Sequence, residues 1–181
     1  MKHCGTRRIE TERLILRPFR PEDARDCIEN YMTDERVYRW LADEPPTPEW
    51  IREKWLATCD EAYSYADTYY WAIESKDEGR VVGEIFAEDF DGGNGWCELG
   101  WKVGVPWWNL GYAAEAAAAV TDYLLHRAGF HRVQARCVAE NAAAECVMQE
   151  LGMTCEGVLR EYFRGRDGAY HDMLLYAIVR H

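Results

Sequence analysis

This sequence has no apolar run near the ~18 residues that a bilayer span needs, and no secretory h-region opens it. A soluble, cytoplasmic protein is expected. Basic charge is scarce: 21 Lys and Arg stand against 32 Asp and Glu, a net −11. That excludes the basic stripe a nucleic-acid binder needs and disfavours anionic membrane surfaces, while staying compatible with cationic partners. The seven cysteines are an odd number and none is spaced C-x-x-C. Neither a disulfide framework nor a metal site is indicated, and free intracellular thiols are expected. Neither G-x-x-x-x-G-K-[ST] nor G-x-G-x-x-G occurs. No repeat, linker or low-complexity tract divides the chain, so residues 1–181 read as one domain.

What is present is organised around Trp101–Gly129. Trp101, Val103 and Val105 alternate with Lys102 and Gly104, as in a strand. Pro106 cannot donate to a ladder, so pairing is expected to stop or splay there. From Gly111 the composition turns to strong helix formers, with Ala113, Ala116, Ala117, Val120 and Leu124 on one face. The helix starts at Asn109-Leu110-Gly111-Tyr112-Ala113, where free N–H groups and a glycine suit an anion. No Lys or Arg lies between Val103 and Leu125, so an anion here would be held by backbone. An ordinary strand–helix corner is the plain alternative.

Around this stretch the chain reads in order. Residues 1–10 are polar and expected to be loosely ordered. Arg13–Phe19 reads as a strand, then a helix opens at Pro21 and a second near Thr47 or Pro48. Tyr69–Ser75, Arg80–Asp89 and Trp96–Val105 form a meander, with a hairpin loop at residues 91–95. Arg132–Ala139 is a short buried strand, and Asn141 caps a helix ending at Gly152. Met153–Phe163 and Ala169–Arg180 close the chain as strands. This order predicts an α/β (α+β) fold, a mixed sheet of about six or seven strands with helices on both faces.

Several segments together resemble one family. Thr11–Phe19 is similar to the "TERLxLRPF" opening of the Rim-type branch of the GNAT acyltransferases. Cys97–Trp101 resembles its "aEiGyw" strand, and Trp107–Ala116 its "yWGkGyatEA" loop. Asn141–Met153 resembles "NxaSxrvleKlGF", and Glu156–Arg160 "eGvlR". The resemblance implies a GNAT fold splayed in mid-sheet, acetyl-CoA as cosubstrate and an amine acceptor. It implies that backbone around Val103 and Val105 pairs with the pantetheine arm. Trp108, Asn109, Leu110, Gly111, Tyr112, Ala113 and Ala114 would form the pyrophosphate loop, and Asn141 would contact the pantetheine. Trp108 stands where much of the wider superfamily has Gln or Arg. Asn141 can also be a plain N-cap, and one residue can do both.

Acetylating an amine requires the neutral amine. At pH 7 an α-amine lies about one unit from its pKa, ~1 kcal/mol, and a Lys about three, ~4–5 kcal/mol. Glu98 in WCELGW and Glu84 in VVGEIF are the candidate bases, directly or through water, with Glu98 on the strand expected to hold the thioester. Either can instead be a structural ion pair. Ala144 occupies the place of a family Ser and Glu150 that of a family Lys, so no side-chain acid is evident. That departure would suit a second reading, a non-catalytic acyl-CoA-binding or sensing protein. Cys146 and the histidines 126, 131 and 171 show no catalytic pairing. Acids at residues 43–44, 60–61 and 88–91, interleaved with Trp40, Tyr63, Tyr65, Tyr69, Tyr70 and Trp71, suggest a cationic acceptor. A homodimer stays open.

Overall fold

Alternating apolar side chains build the sheet. In β2 (Leu14–Arg17) Leu14 and Leu16 are fully buried, and in β3 (Tyr69–Ser75) Trp71 and Ile73 are. The computed structural model describes residues 3–180. β4 (Arg80–Asp91) and β5 (Trp96–Val103) follow as a hairpin. A 3₁₀ turn, Val105–Trp107, leads into α4 (Tyr112–Tyr123), which continues in a wider turn to Ala128. Then come β6 (Arg132–Val138), α5 (Ala142–Glu150), β7 (Thr154–Arg164) and β8 (Tyr170–Val179). Before β3, α1 (Ala24–Cys27) lies within a helical stretch over 21–32, while α2 (Pro48–Trp50) and α3 (Leu56–Ala62) form one rod with the turn between them.

Among the described residues eight strands, counting β1 (Ile9–Glu10), lie in the order β1-β2-β3-β4-β5-β6-β8-β7, with β5 and β6 the parallel pair. The expected six or seven rises to eight because Ile9–Glu10 pairs with β2 as β1. The amino-terminal segment is also better tied than its polarity suggests. The Thr6 hydroxyl donates to Thr68 O at 2.9 Å, Trp71 Nε1 to Arg7 O at 2.7 Å, and Tyr123 OH to Gly5 O at 2.7 Å. Residues 1–2 lie outside the described part.

Two cores sandwich the sheet. Ala116, Ala117, Val120 and Leu124 of the α4 segment press on one face, each fully buried. On the other, Phe19, Cys27, Tyr31, Ile51 and Trp55 pack over Ala72 and Val81.

The sheet parts in its middle. β5 and β6 are paired only from Trp96↔Arg132 to Glu98↔Gln134. Beyond that rung β5 keeps β4 as its neighbour and β6 keeps β8. The parting therefore begins well before Pro106, which sits in the turn after the strand. β5 ends at Val103; the Gly104 N–H still reaches β4 at Val82 O, 2.8 Å, and the Val105–Trp107 turn containing Pro106 then carries the chain out of the ladder.

Candidate active site

The gap between β5 and β6 opens into a cavity of about 530 Å³. Its walls are Trp101–Val103 of β5, the loop from Trp107 to Ala114 apart from Leu110, one side of α5 from Ala143 to Glu150, and Arg36, Val37, Arg39 and Trp40. Trp108, Asn109, Gly111, Tyr112, Ala113, Ala114 and Asn141 all line it, as does Val103. Val105 and Leu110 do not. Val105 belongs to the turn, with its carbonyl accepting from the Trp108 N–H, and Leu110 is half exposed.

Loop shape follows from two left-handed residues, Asn109 at φ 59° and Gly111 at φ 77°. Gly111 is the N-cap of α4 and supplies no side-chain acceptor. The Glu115 N–H bonds Gly111 O at 3.0 Å, while the three preceding N–H groups have no partner inside the helix. A Cβ at Gly111 would stand 3.2 Å from Arg13 Nη2. Trp108 Nε1 donates to Val103 O at 2.7 Å, pinning the loop to the strand end.

Arg13 braces this loop from behind. Its Nη1 donates to Leu110 O at 2.7 Å and its Nε to Glu115 Oε2 at 2.6 Å. Glu115 Oε1 accepts from the Thr11 hydroxyl at 2.5 Å and the Arg13 N–H at 2.8 Å. Burial opposes the charge on Glu115, but these donors hold its carboxyl below the usual range. The "TER" opening and the Glu of the loop–helix segment are thus one contact made across about a hundred residues. Sequence reading missed Arg13 in this role because no local signal links the two segments.

Asn141 caps α5, its Oδ1 accepting from the Ala144 N–H at 3.3 Å. Ala143, Ala144, Cys146, Val147 and, at the far end, Glu150 present the helix to the cavity, so its wall around Ala144 is apolar.

The two candidate bases have different surroundings, and neither lines the cavity. Glu84 is 1% exposed, and both its oxygens accept hydrogen bonds. Oε1 accepts from Lys102 Nζ at 2.6 Å, and Oε2 from Tyr31 OH at 2.9 Å and Tyr70 OH at 2.7 Å. Glu98 lies at the last rung before the sheet parts. Its Oε1 accepts from Arg136 Nε at 2.8 Å and its Oε2 from Gln134 Nε2 at 3.0 Å. Directly opposite stands Glu88, which makes no ion pair among the described residues. Glu88 is exposed, but partial desolvation on the sheet, with Asp89 and Glu98 alongside, pushes its carboxyl above the usual range. In the sequence Glu88 stood out only as part of the acidic run 88–91 expected near a cationic acceptor; its register opposite Glu98 was the missing signal.

A second cavity of about 700 Å³ adjoins the first and shares Arg36, Arg39 and Trp40 with it. Its other walls include Phe163, Arg166 and His171 of the β7–β8 hairpin. The Arg166–Glu35 pair, 2.9 Å, closes the hairpin onto the loop before α2. Of the aromatics expected at an acceptor mouth, only Trp40 lines these cavities. Tyr69 and Trp71 are core residues, Tyr63 and Tyr70 bond inward, and Tyr65 faces solvent. Pleating decides this, since it sends neighbouring residues of β3 to the two cores.

Comparison with known proteins agrees with the fold. The acetyltransferase (GNAT) domain family matches residues 13–154. The uncharacterized N-acetyltransferase YoaA of Bacillus subtilis is 27% identical over 172 residues, 95% of this chain and 96% of that protein. The GNAT-family acetyltransferase from Bacillus anthracis superposes with a TM-score of 0.83 at 27% identity, covering 96% of this chain and 98% of that one. Mycobacterium smegmatis RimJ, solved in complex with CoA-disulfide, shares the fold at a TM-score of 0.80 and 22% identity, over 99% of this chain and 90% of that one.

Proposed function

The chain belongs to the GNAT acetyltransferase family, and from that premise we propose that it moves an acetyl group from acetyl-CoA to a primary amine, either a protein N-terminal amine or a small-molecule amine. The observation that carries this reading is the parted sheet opening onto the uncapped start of α4. Its unpartnered N–H groups and left-handed Gly111 suit a pyrophosphate, and the unpaired edge of β5 suits an amide-bearing arm. Trp108, Asn109 and Gly111 to Ala114 would hold the phosphates, Trp101 to Val103 and Asn141 the arm. The bound donor supplies an activated acetyl thioester.

The second cavity admits the acceptor from the side of Trp40 and the β7–β8 hairpin. Glu98 and Glu88 then form a carboxylate rung on the sheet face, where an ammonium proton can be taken up directly or through water. Glu98 is the first choice, being at the vertex of the gap; Glu88 has the open oxygens. The apolar wall at Ala144 leaves protonation of the departing sulfur to solvent.

Calorimetry with CoA tests the central assignment. Wild-type protein should bind in the micromolar range. Gly111→Glu should abolish binding, because a carboxylate at a left-handed position would confront both the phosphates and the strained backbone. Wild-type-like binding in that variant would remove the loop from the phosphate site. A panel of amines with acetyl-CoA then separates an enzyme from a protein that only binds the acyl donor.

A further inference from the structure

Lys102 lines the donor cavity, where only its backbone is assigned to the arm, and its side-chain ammonium has no part in that reading. It lies on the same face of β5 as Glu98 and Gly100, directly across from Glu84. The ammonium bonds Glu84 Oε1 at 2.6 Å. The two ends of this pair differ. The Glu84 side chain is 1% exposed and is buttressed from the far side by the Tyr31 and Tyr70 hydroxyls, whereas that of Lys102 is 20% exposed. The pair is therefore a fixed dipole whose positive end belongs to the residue that lines the cavity, the more exposed of the two. The rings of Tyr38 and Phe86 flank the ammonium, 5.4 Å and 5.5 Å from Nζ to their centroids, and hold it in place. Burying an ion pair this deeply gains little stability over apolar residues of like volume. A function for the cation at the cavity wall is the better account.

We propose that Lys102, oriented by Glu84, is the fixed positive charge that stabilises the sulfur departing from the acetyl donor. This rests on the reading of the cavity as the acetyl-CoA site. The acceptor nitrogen forms the bond to the carbonyl carbon, and the electrons of the carbon–sulfur bond leave on sulfur as a thiolate. The acceptor gives up one ammonium proton to the Glu98–Glu88 rung or to water before it attacks and a second proton to water as the amide forms, and the thiolate later takes a proton from solvent. The Lys102 proton stays on nitrogen. Burial works against its charge, but Glu84 outweighs it and raises the ammonium above its ordinary value, with Tyr38 and Glu88 contributing. Transfer to a thiolate of ordinary pKa, about 8.5, would then be uphill. The charge thus does work that a side-chain acid could otherwise do, which fits the apolar Ala144 wall.

Free CoA is the probe, and the ultraviolet absorbance of its thiolate is the readout, so neither acceptor nor turnover is needed. With wild-type protein the bound thiol should titrate about one to two pH units below that of free CoA, as expected near an opposite charge. Lys102→Met alone strands a buried carboxylate and can unfold the protein, so the double variant Lys102→Met/Glu84→Gln is the decisive one. It should bind CoA within about threefold of wild type by calorimetry while its thiol titrates at the free value; Lys102→Arg should restore part of the shift. Equal thiol titration in wild type and the double variant, with CoA bound to both, overturns the proposal and spares the cavity assignment. Absence of CoA binding to wild type overturns both.

Discussion

Glutamates 84, 88 and 98 share one face of two neighbouring strands and have three different environments. Glu84 is held by two tyrosines and a lysine, Glu98 by an arginine and an amide, and Glu88 by neither. Type and spacing alone made Glu84 and Glu98 equivalent. Their distinction depends on Tyr31, Tyr70, Gln134 and Arg136, which come from other elements. If the rung accepts the amine proton, Glu98→Gln should lower kcat by about 10²–10⁴ with CoA affinity unchanged, and the acidic limb of the pH–rate profile should flatten. Glu88→Gln gives the contrast. A wild-type rate in Glu98→Gln beside a collapse in Glu88→Gln would move the role across the rung, and wild-type rates in both would hand it to solvent. The amide keeps an acceptor for Arg136 or Gln134, so a folding defect is not the expected outcome.

Elements were more legible than contacts. Tyr69–Ser75 follows directly from its alternation, and Thr47 caps the 48–62 rod as Thr-Pro-Glu suggests, its Oγ1 accepting from the Trp50 N–H at 3.2 Å. The Ala113–Leu124 stripe found its buried face for the same reason. The parting of the sheet was anticipated but placed at Pro106. Proline marks only where a strand cannot donate, and here the break is set by which neighbour each strand keeps. Arg13, Arg36 and Arg39 at the site were invisible, since each arrives from a distant segment. The clasp between β2 and α4 has a measurable consequence. Glu115 titrates at about 4.3 when unfolded and lower when folded, so its contribution is present above about pH 4.3 and lost as pH falls through the folded value. Glu115→Gln should therefore cost about 1–2 kcal/mol in denaturant unfolding at pH 7, discounted for partial exposure, and much less near pH 3. A penalty that did not shrink on acidification would mean that the clasp works through shape rather than charge. CoA affinity should fall in the same variant, because Arg13 also anchors Leu110.

At the scale of the whole molecule two charge patterns oppose each other. The chain carries a net −11, while the walls shared by the two cavities bring Arg36 and Arg39 together. Arg36 is paired with Asp34 at 2.6 Å, and Arg39 lies over the Trp40 ring, 4.6 Å from its centroid. The far field thus draws cations, whereas the arginines near the mouth favour a negative group close in. A cationic acceptor, such as a basic peptide N-terminus, would be steered by the far field and would present only its amine to the Glu98–Glu88 rung. Added salt weakens such steering, with a Debye length of about 30 Å at 0.01 M falling to about 8 Å at physiological strength. For a cationic acceptor kcat/KM should then drop severalfold across that range with kcat held, because encounter is what slows. CoA is an anion approaching an acidic protein, so its association should not slow in parallel. Measuring kcat/KM for the best amine of the panel against salt decides the matter: a flat or rising dependence means that the arginine walls choose the acceptor and that the surplus of acids serves solubility alone.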